Sequence, residues 1–168
     1  MNIILINPPQ TYPKNCYDKS SPRACIPQGL IQIASCLERD GYKPKIIDAF
    51  TISEELLHET KDNIHFGASW NSIKEAIKKE NPDIVGITNQ FTSQKDNAIN
   101  TAKLVKEINK NIITVIGGPH ASVRPEDFLE SGYADFAVIG EGEHTFRDII
   151  SYMEKKKNIE DINGLVYK

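Results

Sequence analysis

An open, parallel five-stranded α/β sheet with helices on both faces, a Rossmann-like (flavodoxin-like) fold, is the architecture this sequence predicts. Three observations predict it. Short runs of Ile and Val recur without the alternation of a half-exposed strand, as strands buried on both faces require. Stretches with apolar residues at helical spacing separate these runs. Gly, Asn, Asp or Thr follows the runs, where each strand has to turn.

Asn2-Ile-Ile-Leu-Ile6 is the first run, and Asn7-Pro8-Pro9 ends it. A long loop over residues 7–27 follows, with Pro8, Pro9, Pro13, Pro22 and Pro27. Loops of that length inside a compact domain are usually functional or mobile. Leu30, Ile33, Ala34 and Leu37 then form one helical stripe, with Gly41 placed to cap its end. The second run is Lys45–Ile47. Residues 49–69 hold a short helical candidate, Ser53 to Glu59, with Ser53 as its N-cap. Trp70, Ile73 and Ile77 make the next stripe, ended by Asn81-Pro82. Asp83–Ile87 is the third run, and Ala98, Ala102, Val105 and Ile108 mark the helix after it. The fourth run is Ile112–Ile116; Pro125 then opens a helical turn through Phe128 and Leu129. Phe136–Ile139 is the fifth, and Phe146, Ile149, Ile150 and Met153 form the last stripe. Right-handed crossovers between five such strands suggest the order 2-1-3-4-5.

A length of 168 residues suits one domain, read as residues 1–157. Residues 158–168 read as a linker or a sixth strand, Gly164-Leu-Val-Tyr167, leading toward a further domain of a longer parent chain. Apolar residues are 39% and charged residues 26%, which supports a packed core and argues against wholesale disorder. A net charge of −3 gives no electrostatic footprint for nucleic acid. Three cysteines, Cys16, Cys25 and Cys36, without a C-x-x-C pair, predict neither a disulfide scaffold nor a zinc or iron–sulfur site. They fit a reducing, cytoplasmic setting. The N-terminus has no basic region ahead of a long apolar one, and no run approaches the roughly 20 residues that span a bilayer.

In open parallel sheets, ligands bind beyond the carboxyl ends of the strands, near the point where strand order reverses. That rule selects the loops that follow the first, third, fourth and fifth runs. Their candidate binding residues are Asn7 and Pro8; Thr88, Asn89, Gln90, Phe91 and Thr92; Gly117, Gly118, Pro119 and His120; and Gly140, Glu141, Gly142 and Glu143. Gly117-Gly118 removes two β-carbons at the sheet edge, for close ligand approach or for a tight turn into Pro119. Glu141 and Glu143 open a helix, where carboxylates complement the dipole or accept hydrogen bonds from ligand amides. Thr92 and Ser93 are also placed to cap the helix over Asp96–Asn109. His120 is a candidate metal ligand or proton carrier, though a lone His after a turn is more often neither.

Several chemistries are absent. Asp48 stands where a nicotinamide-binding fold carries its ribose acid, but the first turn, Asn7-Pro-Pro-Gln-Thr-Tyr12, lacks G-x-G-x-x-G. No Walker-type phosphate loop and no G-x-S-x-G elbow occur. A phospho-acceptor receiver needs an acidic cluster, an Asp and a Lys where this chain has Asn7-Pro8-Pro9, Thr88-Asn89 and Gly140-Glu141. No residue receives a catalytic or metal-ligating role.

Taken together, Asn7-Pro-Pro, Pro27-Gln-Gly-Leu-Ile-Gln-Ile-Ala34, Asp40-Gly-Tyr-Lys-Pro-Lys-Ile-Ile-Asp48, Pro82-Asp-Ile-Val-Gly-Ile-Thr88, Gly117-Gly-Pro-His120 and Gly140-Glu-Gly-Glu143 form a recognisable series. The chain resembles the N-terminal cobalamin (vitamin B12)-binding domain of B12-dependent radical S-adenosylmethionine enzymes, over nearly its whole length. The resemblance implies that the corrin lies over the carboxyl ends of the strands. It also implies that the nucleotide tail enters a slot beside the central ones. The D-x-H-x-x-G motif, whose His ligates cobalt in many B12 domains, is replaced by Asn7-Pro8-Pro9, which implies no protein ligand to cobalt. The C-x-x-x-C-x-x-C motif for a 4Fe-4S cluster is also absent. The cluster, S-adenosylmethionine and the reaction, a methyl transfer or a ring rearrangement, would therefore belong to a radical domain downstream in the parent chain. Two other readings stand beside this one: a domain for a nucleotide or sugar nucleotide, and a ligand-free docking domain of the same family.

Overall fold

Ile3, Ile4, Leu5 and Ile6 are each at most 2% exposed, so the first run is buried on both faces. In the computed structural model, which describes residues 1–17 and 26–168, it becomes strand β1, Ile3–Asn7. Then come β2 (Gln10–Pro13), α1 (Gln28–Arg39), β3 (Lys45–Asp48), β4 (Leu57–Glu59) and β5 (Asn63–Phe66). The middle of the chain supplies α2 (Trp70–Glu80), β6 (Ile84–Thr88), α3 (Lys95–Ile108) and β7 (Ile113–Gly117). The remainder is α4 (Pro119–Val123), α5 (Glu126–Leu129), β8 (Phe136–Val138), α6 (Gly142–Met153) and β9 (Leu165–Val166).

The main sheet runs β3-β1-β6-β7-β8-β9. Its first five strands pair in parallel, in the order expected from the sequence. The count is a correction: the sheet has six strands, not five. β9 adds to β8 antiparallel. Its direction follows from where the chain arrives: Gly164 O accepts from Ile139 N just past the carboxyl end of β8, and Asn163 O from Thr145 Oγ1 in the first turn of α6, so the strand runs back down. Ile162, only 6% exposed, anchors this return in the core.

Strand alternation sorts the core into two layers. Ile4, Ile6, Val85, Ile87 and Ile116 face α2 and α3, where they meet Ile73, Ile77, Ala98, Ala102 and Val105. Ile3, Leu5, Ile84, Val115 and Val138 face α1 and α6, against Leu30, Ala34, Leu37, Phe146 and Ile149. Helix ends follow local chemistry. Ser69 Oγ accepts from Ser72 N at the start of α2, and Gly41, with φ +89°, follows the end of α1.

The two segments that break the βα rhythm fold onto each other. β2, from the long first loop, pairs with β5, and β5 pairs with β4, giving a three-stranded antiparallel sheet. The helix expected over Ser53–Glu59 is therefore absent; Leu57, His58 and Glu59 are paired with Phe66, His65 and Ile64. Ladder pairing overrides the helical preference of a short segment. Pro22 and Cys25 lie outside the described residues; Cys16 and Cys36 are free thiols.

Candidate functional site

The carboxyl ends of β6 and β7 differ by face. Going up β6 toward α1 and α6, the side chains are Ile84, Gly86 and Thr88; up β7 they are Ile113, Val115 and Gly117. The lowest residue on each strand is a large Ile, and the upper positions are smaller. On the opposite face Ile87 and Ile116 remain large and are at most 2% exposed. The result is a cavity of about 640 Å³ between the sheet and α1/α6. Gly86, Thr88, Val115 and Gly117 form one wall, and Gln28, Ile33 and Phe146 reach it from the helices. Gly118, Pro119, Gly140, Glu141, Gly142 and Glu143 surround its mouth, with Gln90 beside them.

The glycines do different work. A β-carbon on Gly86 would sit 2.7 Å from Phe146 Cε2 and 2.8 Å from Leu5 Cδ2. Gly86 thus lets these two side chains close the cavity floor. Gly118 has φ +113°, and a β-carbon there would lie 2.5 Å from the Asn89 carbonyl oxygen. It is a turn glycine. A β-carbon on Gly117 would meet only Val138 Cβ, at 3.7 Å, an ordinary contact. Neither packing nor backbone demands glycine at 117; its bareness enlarges the cavity. The paired glycines therefore divide the two expected roles between them.

Gly140 turns with φ +75°, and its N–H donates to Ser122 Oγ at 3.0 Å. Glu141 is the N-cap residue of α6 yet makes no side-chain cap hydrogen bond, and it is exposed. Glu143 is half-buried in the first turn. Two carboxylates thus stand at the mouth, where they complement the helix dipole and disfavour an anionic diphosphate at the start of α6.

A second, small depression of about 20 Å³ lies between the ends of β1 and β6, where strand order reverses. Asn7, Pro8, Thr88, Asn89, Gln90 and Phe91 line it. Phe91 is half exposed and Asn89 is buried. Asp48 is engaged at this point, accepting from Asn7 Nδ2 at 3.0 Å and from Phe50 N at 3.2 Å.

Two expected site residues lie apart from both cavities. His120 is buried, with Nδ1 3.1 Å from Thr92 Oγ1 and Nε2 3.1 Å from Asp127 Oδ2. Its ring meets Phe128 edge-on at 5.5 Å, on the α2/α3 side. Lys95 Nζ also reaches Asp127 Oδ2, at 3.1 Å. The hydrogen bond from Lys95 holds the Asp127 carboxyl below its usual range, and that from His120 adds to it. Thr92 makes this bond rather than capping the following helix, and no side chain caps α3. Here His120 ties a loop to α5; among the described residues no group of three or more His, Cys, Asp and Glu side chains is placed to hold a metal ion.

Gly86, Ile33 and Phe146 line the cavity although the sequence does not mark them as binding residues. Gly86 was findable, because a glycine inside a buried strand marks close approach. The helix residues carried no signal beyond their apolar stripe.

A family model for the B12 binding domain matches residues 17–150. The chain belongs to this family. Among curated relatives, the cytidylyl-2-hydroxyethylphosphonate methyltransferase of Streptomyces wedmorensis is 30% identical over 99% of this chain and 31% of its own length. An uncharacterised methyltransferase of Pyrococcus horikoshii is 36% identical over 100% of this chain and 33% of its own length. The B12-binding domain thus spans about a third of these relatives. Among solved structures, the cobalamin-dependent S-adenosylmethionine radical enzyme OxsB with aqua-cobalamin bound superimposes with a TM-score of 0.73. That match has 22% identity and covers 99% of this chain and 20% of the other. The radical S-adenosylmethionine methyltransferase TsrM from Kitasatospora setae gives a TM-score of 0.74 at 16% identity, over 98% and 28%. These likenesses show that the B12-binding domain shares the fold of the matched portion of each of those enzymes. Among its described residues no helix is long and apolar enough to cross a membrane.

Proposed function

We propose that this B12-binding domain holds cobalamin with the ring over the carboxyl ends of β1, β6 and β7 and the nucleotide tail in the 640 Å³ cavity. The observation that carries the reading is the unforced bareness of Gly117. Packing would accept a side chain there, so its absence serves an inserted group. The cavity fits a flat heteroaromatic base: Val115, Val138 and Phe146 supply apolar walls, and Thr88 supplies a hydroxyl. Asn7, Pro8, Gln90 and Phe91 lie under the ring, and Pro119 and Gly140 beside it. Glu141 and Glu143 accept hydrogen bonds from its carboxamides, and Gly142 between them lets Ile33 pack close, since a β-carbon there would lie 3.2 Å from Ile33 Cδ1.

Bound cobalamin supplies a cobalt centre able to carry a methyl group. The protein's part would be to hold it, with none of its side chains offering cobalt a strong ligand. No histidine lines either cavity among the described residues, and His120 is committed to Thr92 and Asp127. The electron paramagnetic resonance spectrum of bound cob(II)alamin should show no nitrogen superhyperfine splitting.

The parent protein, on this reading, is a B12-dependent radical S-adenosylmethionine methyltransferase, as the relatives' names support, acting in the cytoplasm. Its 4Fe-4S cluster and S-adenosylmethionine sit in a radical domain of the same chain, which residues 158–168 lead toward. Neither nucleic acid nor membrane is a partner. Hydroxocobalamin is mixed with the protein and passed through gel filtration. Corrin absorbance that travels with the protein supports the reading. A flat titration, or retained 260 nm absorbance from a nucleotide instead, overturns it.

A further inference from the structure

Asn89 carries an orphaned atom. The residue is 2% exposed, and its Oδ1 has no hydrogen-bond partner. The amide's orientation is fixed from its other end. Nδ2 donates to the Phe91 carbonyl at 3.2 Å, and a carbonyl takes only a donor, so the oxygen is the atom left over. The backbone is held as firmly. Asn89 N donates to Gly117 O at 2.8 Å, and the Asn89 carbonyl is the atom against which Gly118 turns. An immobile, desolvated acceptor without a donor is costly, and such atoms call for a partner from outside.

The neighbouring buried amides have theirs. Asn7 Nδ2 donates to Asp48, and Gln94 Oε1 accepts from Thr11 N at 2.8 Å and Asn97 Nδ2 at 2.6 Å. Among the described residues the other buried side-chain atom without a partner is His58 Nε2, in the small sheet. Asn89 lines the 20 Å³ depression at the reversal of strand order, which has room for about one nitrogen or oxygen atom. No Lys, Arg, Asp or Glu lines that depression, so it suits a neutral donor.

We propose that Asn89 Oδ1 is a specificity-determining acceptor for one N–H of a carboxamide on the rim of the bound ligand. This rests on the cobalamin reading, since a corrin rim carries such amides. Hydrolysing an amide to a carboxylate removes its N–H donors and sets oxygen against oxygen.

The test measures binding, on the unmutated protein, of cobalamin and of analogues in which one rim carboxamide at a time is a carboxylate. One analogue should bind about tenfold more weakly or worse, and the rest much as cobalamin does. In Asn89→Leu, that analogue and cobalamin should bind alike; Asn89→Ala is read in the same way if the leucine variant does not fold. Equal binding of every analogue to the unmutated protein overturns the inference and leaves an ordered water as the donor. A weak analogue that stays equally disfavoured in the variants also overturns it, because the penalty then belongs to another residue. If cobalamin itself fails to bind the unmutated protein, the cobalamin reading falls, and the inference falls with it.

Discussion

The two faces of the main sheet use the same strands and end differently. Toward α2 and α3, β6 and β7 carry Val85, Ile87 and Ile116 to their carboxyl ends, and the layer is filled. Toward α1 and α6, the same strands end in Thr88 and Gly117, and the layer opens into the cavity. Because side chains alternate along a strand, one sequence sets the two faces independently. An empty space on one side need not weaken the other. The opening is thus a property of alternate positions, and substitutions on the two faces should part company.

The largest effect is expected on the filled face. Ile116→Ala removes a side chain that is 0% exposed and should cost about 2–5 kcal/mol of unfolding free energy. Chemical denaturation measures it, and cobalamin affinity of the folded protein should stay as it was. A loss of affinity with little loss of stability would contradict the division of labour between the faces.

Next is the turn. Gly118→Ala forces a β-carbon toward the Asn89 carbonyl at positive φ, so the strain should lower stability by about 1–3 kcal/mol. It should also displace Asn89 and weaken binding. Gly117→Val, one residue earlier, should weaken binding while sparing stability. Its β-carbon finds ordinary contact with Val138, so the change in unfolding free energy should stay under about 1 kcal/mol. Its methyl groups occupy the cavity, so cobalamin affinity should fall by about tenfold or more, equivalent to roughly 1.4 kcal/mol. Equal cobalamin affinity of Gly117→Val and the unmutated protein would remove the slot from the proposal.

That pair also shows what is legible in the sequence alone. The buried runs and helical stripes gave the sheet order, because uninterrupted Ile and Val leave few other solutions. Gly117-Gly118 marks the place of the site, but which glycine serves the turn and which the cavity depends on the Asn89 carbonyl, 29 residues before Gly118. The segment 53–59 misled because its fate rests on pairing with residues 63–66, a tertiary choice that local propensity does not contain. His120 stood in the right motif beside the right glycines. Its side chain nevertheless turns to the other face, since a helix begins at Pro119 and rotates successive residues about the axis. Spacing alone did not reveal that Asp127, seven residues on, would receive it.

The smallest effect belongs to that contact, and it sharpens the comparison by testing the filled face near its rim. Hydrogen bonding from Lys95, then from His120, holds the Asp127 carboxyl below its usual value of 3.8. A depressed carboxyl binds its proton more weakly folded than unfolded. Its contribution is therefore complete above about pH 4, and it fades as pH falls through the depressed value. Asp127→Asn should be slightly less stable than the unmutated protein at pH 6–7, by the modest amount typical of partly solvated ion pairs. The two denaturation curves should converge in strong acid, where the unmutated carboxyl is neutral as well. Cobalamin affinity should not change, because Asp127 faces away from both cavities. A stability gap that persisted undiminished at low pH would show that Asp127 acts through packing rather than through its charge.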